Sequence, residues 1–362
     1  MTVPLLCNSL NSSISHGSLL ELPKISSEPN GASTWEVLPV LSEQESQDVR
    51  LMPVYAAPVV DKKETCRLMK EVSAIYPLSD YPHLKRIRAC LSAGSPHPLE
   101  MILCLAGLNG EQSGSRSLSE LFPSGEVDLC GLGKPFLVHV PACVPLTRPQ
   151  YEEAALHWPV SFHENKRISQ ALKGCLFSPL EKNSMQGYME LAIQAAQQGA
   201  RQGMEPVGAV VVDPATGRVL VVGHDCREGS NPLLHAVMVC IDLVAHSHGG
   251  GAYSFNDYPA CTFLPVDSTS QPPPSLEDGL PYICTGYDMY LTREPCMMCA
   301  MALVHSRIQR VFYGAPSSHG ALGTTHHIHS RKDLNHRYEV FRGILEDQCK
   351  RLVQLSDHKE SS

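Results

Sequence analysis

The sequence predicts two α/β domains in series. Three observations carry this. Its 362 residues exceed what one hydrophobic core usually organises. Residues 52–144 alternate short apolar runs with helical periods, and residues 178–316 do so again in a different order. The whole is 43% hydrophobic and 18% charged with a net charge of -8, which fits a globular protein and excludes collagenous and wholly disordered classes. No apolar run reaches the roughly eighteen residues a bilayer crossing needs, so no membrane association is expected. The N-terminus, MTVPLLCNSLNSSIS, lacks a basic region ahead of its short apolar patch, so an intracellular protein of cytoplasm or nucleus is expected.

Residues 1–50 hold six acidic and two basic residues among Ser, Asn and Pro without a sustained period, which predicts a disordered leader. The first domain, taken as 51–177, opens with MPVYAAPVV as a strand and KKETCRLMKEVSAIYP as an amphipathic helix. HLKRIRACL and PLEMILCLAG then read as strands, SRSLSELF as a short helix and PFLVHVPACV as a fourth strand. That β-α-β-β-α-β order matches a ferredoxin-like unit, antiparallel with helices on one face. Pro149 then opens a further helix through QYEEAALH, which Pro159 ends.

The second domain, 178–350 before a tail of 351–362, begins with a helix whose Met185, Met189, Ile193 and Ala196 share one face. PVGAVVVDPATGRVLVVGHD is a hairpin turning at Asp213–Gly217, and LLHAVMVCIDLVAH is a buried helix. DMYLT is a strand feeding a second buried helix, PCMMCAMALVHSRI, and RVFYGAP is a further strand. Between them, 246–282 is rich in Gly, Ser and Pro and carries no Lys or Arg, so a flexible insert is expected.

Cys296 and Cys299 form Cys-x-x-Cys, yet fourteen cysteines in this length give roughly half such a pair by composition alone, so context must decide. Pro295 sets the first cysteine at a strand-to-helix junction, where unpaired N–H groups favour thiolate. His235 starts the other buried helix after the turn-like Gly229-Ser230-Asn231-Pro232. A metal of tetrahedral habit requires such a third donor. Without a signal peptide the other cysteines are expected to be reduced thiols.

PVGAVVV, LLHA and TREPCMMCAMALVHSRIQRVFYGA, in this order, resemble the tRNA adenosine deaminase branch of the cytidine and deoxycytidylate deaminase family. WPVSFH and its surroundings resemble the extended subunit of the eukaryotic heterodimeric wobble deaminase. The resemblance implies a cytidine deaminase-like α/β/α sandwich with a five-stranded sheet, and a Zn2+ held by His235, Cys296 and Cys299. It also implies a catalytic homologous partner and a tRNA substrate whose wobble adenosine becomes inosine. Two residues after His235, where the family carries its proton-shuttling glutamate, stands Val237. Zinc acts as a Lewis acid, but a carboxylate must still move protons to the ring and the leaving amine. Asp242 lies about 10 Å further along its helix and is too distant to substitute. Glu294 is assigned a structural role at the helix start. The resemblance therefore implies a non-catalytic subunit that supplies scaffold and tRNA binding. A zinc-dependent deaminase of a free nucleoside or nucleotide is the alternative, and an interaction protein without RNA a third. His326, His327 and His329 are candidates for the fourth zinc ligand, or for a polar loop. Lys62, Lys63, Arg67, Lys70, Lys85, Arg86 and Arg88 give residues 61–90 seven basic against four acidic charges and are the candidate RNA contacts, or an ordinary solvated face.

Overall fold

Two sheets built from different register rules divide the chain. The computed structural model describes residues 35–90, 97–106, 116–123, 127–263 and 282–357. The elements, in order, are β1 (Leu38–Pro39), α1 (Glu43–Ser46), β2 (Leu51–Val59), α2 (Thr65–Ile75), β3 (Ile87–Ala89), β4 (Leu99–Leu105), α3 (Leu118–Leu121), β5 (Phe136–Pro141), α4 (Arg148–His157) and α5 (Lys166–Leu172). Then follow α6 (Pro179–Arg201), β6 (Gly208–Asp213), β7 (Arg218–His224), α7 (Ala236–Ser247), β8 (Thr262–Phe263), β9 (Asp288–Arg293), α8 (Met297–His305), β10 (Arg310–Ala315), β11 (Glu339–Arg342) and α9 (Glu346–Asp357). No helix among the described residues is long and apolar enough to cross a membrane.

The first sheet has the order β3-β4-β2-β5 and is antiparallel throughout. This is the ferredoxin-like arrangement. Side-chain alternation splits the central strand β2 between two cores. Tyr55, Ala57 and Val59 meet Leu68 and Val72 of α2 and Leu121 of α3. Val54 and Ala56 meet Ala154 of α4 and Trp158. The expectation of helices on one face is thus incomplete, because α4 covers the second face of the sheet. Trp158 is its anchor: fully buried, it donates from Nε1 to the Lys85 carbonyl at 2.6 Å.

The second sheet has the order β1-β11-β10-β9-β6-β7-β8. Its middle five strands are those the resemblance implies, with β9, β10 and β11 parallel and β6 antiparallel to both β7 and β9. Parallel strands buried on both faces demand helices on both. One core gathers Val239 and Leu243 of α7 with Leu303 and Val304 of α8. The other gathers Met189 and Ile193 of α6 with Cys349 and Leu352 of α9. A Cβ at Gly208 would stand 1.9 Å from the Ala192 carbonyl, so glycine lets α6 lie close on β6.

The two edge strands correct two sequence expectations. Residues 1–34 of the expected leader lie outside the described residues, but 35–50 are folded: Val37 is buried, and Leu38 and Pro39 pair with Arg342 and Phe341. The 246–282 insert is anchored over its first half. Phe255 and Cys261 are buried and Thr262 pairs with Val222, while 264–281 lie outside the described residues. An apolar residue every few positions holds a Gly-rich segment that composition alone makes look loose. Ala171 and Phe177 also pack into the second domain's core, although the sequence places them in the first.

His329 pins the N-terminal strand. Its Nε2 lies 3.0 Å from the Val40 carbonyl, to which it donates, and its Nδ1 is buried without a hydrogen-bond partner. Burial, partly offset by the Val40 carbonyl, pushes this imidazole down to about 4. The unfolded chain takes up its proton near 6.5, so stability is full above that pH and is lost as pH falls towards 4. The loss should approach about 3 kcal/mol at the acid end. Urea unfolding at pH 7.5 and 5.5 checks it: His329→Gln should flatten the difference, and an unchanged difference would assign the acid sensitivity to other groups.

Candidate metal centre

Two helix N-termini converge on one point. β7 ends at His224 and the chain turns through 225–232 to deliver His235 as the N-cap of α7, with extended backbone. β9 delivers Glu294 and Pro295, and Cys296 is the N-cap of α8, with Cys299 one turn on. Because β6 runs antiparallel to both β7 and β9, those two strands end, and the helices after them start, on the same end of the sheet. One nitrogen of His235 and the sulfurs of Cys296 and Cys299 lie within 4.8 Å of one another, and Cys296 Sγ is 3.7 Å from His235 Nδ1. A tetrahedral ion with Zn–S of about 2.3 Å and Zn–N of about 2.0 Å separates sulfur from nitrogen by roughly 3.5 Å. Hydrogen bonds from Cys299 and His235 push the Cys296 thiol down to about 3, whereas sharing that proton and burial push Cys299 up. The two sulfurs thus share one proton, which an ion would displace. This donor set fits zinc.

The three residues face a cavity of about 560 Å³. Val237, almost fully buried, lines it. Three carboxylates also line it, and each is engaged elsewhere. Glu205 meets Arg293 at 3.2 Å, and fully buried Asp225 meets Arg227 at 2.8 Å. Glu294 accepts N–H bonds from Ser317, Leu322, Gly323 and Thr324 at 2.7 to 3.2 Å, and the Thr324 hydroxyl as well. It is the spine of the 317–324 loop, in line with its expected structural role. Asp242 is not among the lining residues; it caps the backbone N–H groups of Ala252 and Tyr253 at 2.7 and 3.1 Å.

None of His326, His327 and His329 lines the cavity, because the turn at 328–330 faces Val40 instead; exposed His319 lines it. Sequence reading also missed Arg227 and Arg293. Their spacing, Asp-x-Arg at one strand end and Arg-Glu at the other, was the available signal.

The seven basic residues of 61–90 divide in two. Arg67 pairs with Glu64 and Glu71 and donates to the Asp128 and Cys130 carbonyls. Arg86 donates to the carbonyls of Tyr76 and Ile102. Arg88 pairs with Glu100 at 2.7 Å, and its guanidinium stands 4.1 Å over the Trp158 ring. The guanidinium groups of these three are engaged within the protein. Lys62, Lys63, Lys70 and Lys85 are exposed.

Glu294→Gln puts an amide N–H₂ among backbone donors that need an acceptor. It should cost about 1–3 kcal/mol and loosen the loop. Hydrogen exchange at Leu322, Gly323 and Thr324 should quicken while exchange in β6 stays slow; unaltered protection would show that the loop holds itself.

The zinc-binding region of cytidine and deoxycytidylate deaminases matches residues 182–315, and the N-terminal domain of tRNA-specific adenosine deaminase TAD3 matches residues 52–158. A Homo sapiens protein named "Probable inactive tRNA-specific adenosine deaminase-like protein 3" is 59% identical over 343 residues, covering 92% of this chain and 97% of that one. A Danio rerio protein of the same name is 54% identical, covering 89% and 95%. The Arabidopsis thaliana tRNA-specific adenosine deaminase TAD3 is 28% identical, covering 88% and 98%. With its paired sheets and its converging histidine and cysteines, the chain belongs to the family of tRNA-specific adenosine deaminase-like protein 3.

Proposed function

We propose that this chain is the non-catalytic, zinc-binding subunit of a heterodimeric deaminase that converts adenosine to inosine at the wobble position of tRNA anticodons. A catalytic homologue is its partner, and the chain contributes interface, scaffold and tRNA grip. The observation that carries the reading is the cavity itself. Val237 lines it where the reaction needs a carboxylate, and all three lining carboxylates are held in ion pairs or backbone hydrogen bonds. A group so tied cannot pick up a proton and release it during turnover without breaking its partners. The same observation weighs against deamination of a free nucleoside by this chain.

His235, Cys296 and Cys299 would hold the zinc. When bound, the ion supplies Lewis acidity and ties α7 to α8, and only the second is of use without a shuttle. Lys62, Lys63, Lys70 and Lys85 would meet phosphate from the first domain. Such a role belongs in the cytoplasm or nucleus.

Co-expression with a homologue bearing the glutamate tests the reading. Inosine should form in tRNA transcripts only with both chains present. Val237→Ala should leave the pair's rate within about twofold while lowering stability by about 1–3 kcal/mol. Inosine from this chain alone would overturn the proposal.

Charge reversal tests the grip. Replacing Lys62, Lys63, Lys70 and Lys85 by Glu should weaken tRNA binding by the pair and flatten its salt dependence by about one unit of slope for each phosphate no longer neutralised. Melting temperature should barely move, whereas Arg88→Glu should lower it by breaking the interactions with Glu100 and Trp158. An unaltered salt slope would reassign the lysines to a solvated face.

A further inference from the structure

His224, Cys226 and Cys261 form a second cluster of thiophilic donors that the deaminase site does not use. His224 is the last residue of β7, Cys226 lies two residues beyond, and Cys261 immediately precedes β8, the strand that pairs with β7. All three are buried, His224 and Cys226 completely. One ring nitrogen and the two sulfurs lie within 4.8 Å of one another. Cys226 Sγ is 3.8 Å from Cys261 Sγ and 3.7 Å from His224 Nδ1.

Those separations have a physical meaning. Two sulfurs about 2.3 Å from a tetrahedral ion stand roughly 3.8 Å apart, and sulfur and nitrogen roughly 3.5 Å. A disulfide would require about 2.05 Å. The imidazole is also short of partners. Its Nδ1 lies 2.8 Å from the Asp225 carbonyl, but its Nε2 is buried with no hydrogen-bond partner. A buried acceptor left this way costs about 1–3 kcal/mol. A histidine that donates one ring N–H to a backbone carbonyl and offers the other nitrogen to a metal is a common arrangement around zinc. Coordination through Nε2 would keep the Asp225 contact, and coordination through Nδ1 would replace it. The ring keeps its place because residue 199 of α6 is glycine: a Cβ there would stand 2.7 Å from Nδ1. Tyr258 closes another side, with its ring edge-on 5.9 Å from that of His224.

We infer that His224, Cys226 and Cys261 bind a second zinc ion, distinct from the ion of the deaminase site and structural in role. The ion clamps the 248–263 segment to the end of β7. That end continues directly into Asp225 and Arg227, the ion pair that lines the first cavity, so the clamp also sets one wall of the deaminase site. All three donors here are buried, whereas His235 and Cys296 of the first site are only partly so.

Native mass spectrometry of the full-length chain loaded with zinc alone tests the inference, with variants that separate the two sites. Cys296→Ser/Cys299→Ser should retain one zinc. In that variant Cys226 and Cys261 should resist iodoacetamide until a chelator removes the metal. Cys226→Ser/Cys261→Ser should bind one zinc fewer than the unmutated chain. Should this double variant fail to fold, the first variant and the unmutated chain still decide the matter. An unchanged count in Cys226→Ser/Cys261→Ser overturns the second site and leaves the first standing. Absence of zinc from Cys296→Ser/Cys299→Ser overturns it too, as does a Cys226–Cys261 disulfide in place of metal. Zinc retained in Cys296→Ser/Cys299→Ser at an unmutated-chain count of one sinks the deaminase ligand assignment instead and leaves this site intact.

Discussion

The convergence of two helix N-termini at His235 and Cys296 is the constraint on which the second domain rests. Each terminus presents backbone N–H groups without intrahelical partners and the positive end of a helix dipole. Aimed at one point, two such ends repel unless negative charge lies between them. Cys296, whose thiol is pushed down by hydrogen bonds from Cys299 and His235, is placed to supply it. The sheet fixes the geometry beforehand: β6 lies between β7 and β9, so the helices that follow those two strands start from the same end. The apolar helices α7 and α8 then bury their faces against the same side of the sheet.

Around that point, groups with the chemistry of catalysis have been turned to holding the wall together. Glu294 organises the 317–324 loop, and a Cβ at Gly320 would fall about 2 Å from its carboxylate, so loop and carboxylate are fitted to each other. Asp225, with no exposure at all, has its buried carboxylate oxygens met by Arg227, which forks onto it. Such a wall is rigid, which suits a scaffold. It does not suit a proton shuttle, whose carboxylate must change partners during each turnover.

How much of this was legible in the sequence depends on whether the signal was local. Cys296, Cys299 and His235 were readable because a Pro-Cys step and an N-cap histidine declare their own backbone positions. The ferredoxin-like order was readable from apolar runs alone, since β2, β4 and β5 each bury residues on alternate faces. What stayed hidden was long-range. Leu38 and Pro39 pair with β11, and Val40 meets His329, through contacts nearly three hundred residues apart, and nothing local marks them. Arg86 and Arg88 looked like surface charge because composition cannot reveal that Tyr76, Glu100 and Trp158 surround them. Cys261 was read as part of a linker because its partners, His224 and Cys226, lie on the far side of α7 in sequence.

Val237 sits where the rigid wall, the metal donors and the missing proton carrier meet. A glutamate at this position would be a nearly buried carboxylate beside a thiolate, with Arg227 and Arg293 already committed to other acids. Burying such a charge without a partner costs several kcal/mol, a strain an active site sustains because catalysis requires it. A subunit that leaves chemistry to its sister has no such requirement, and valine instead contributes about 1.5 kcal/mol or more of favourable burial. The same substitution that removes the proton carrier therefore strengthens the contact between α7 and the cavity wall. A valine here removes the proton carrier and adds buried contact in one step, while His235, Cys296 and Cys299 stay gathered at the two helix starts, where a metal held by them would serve the scaffold as much as the chemistry.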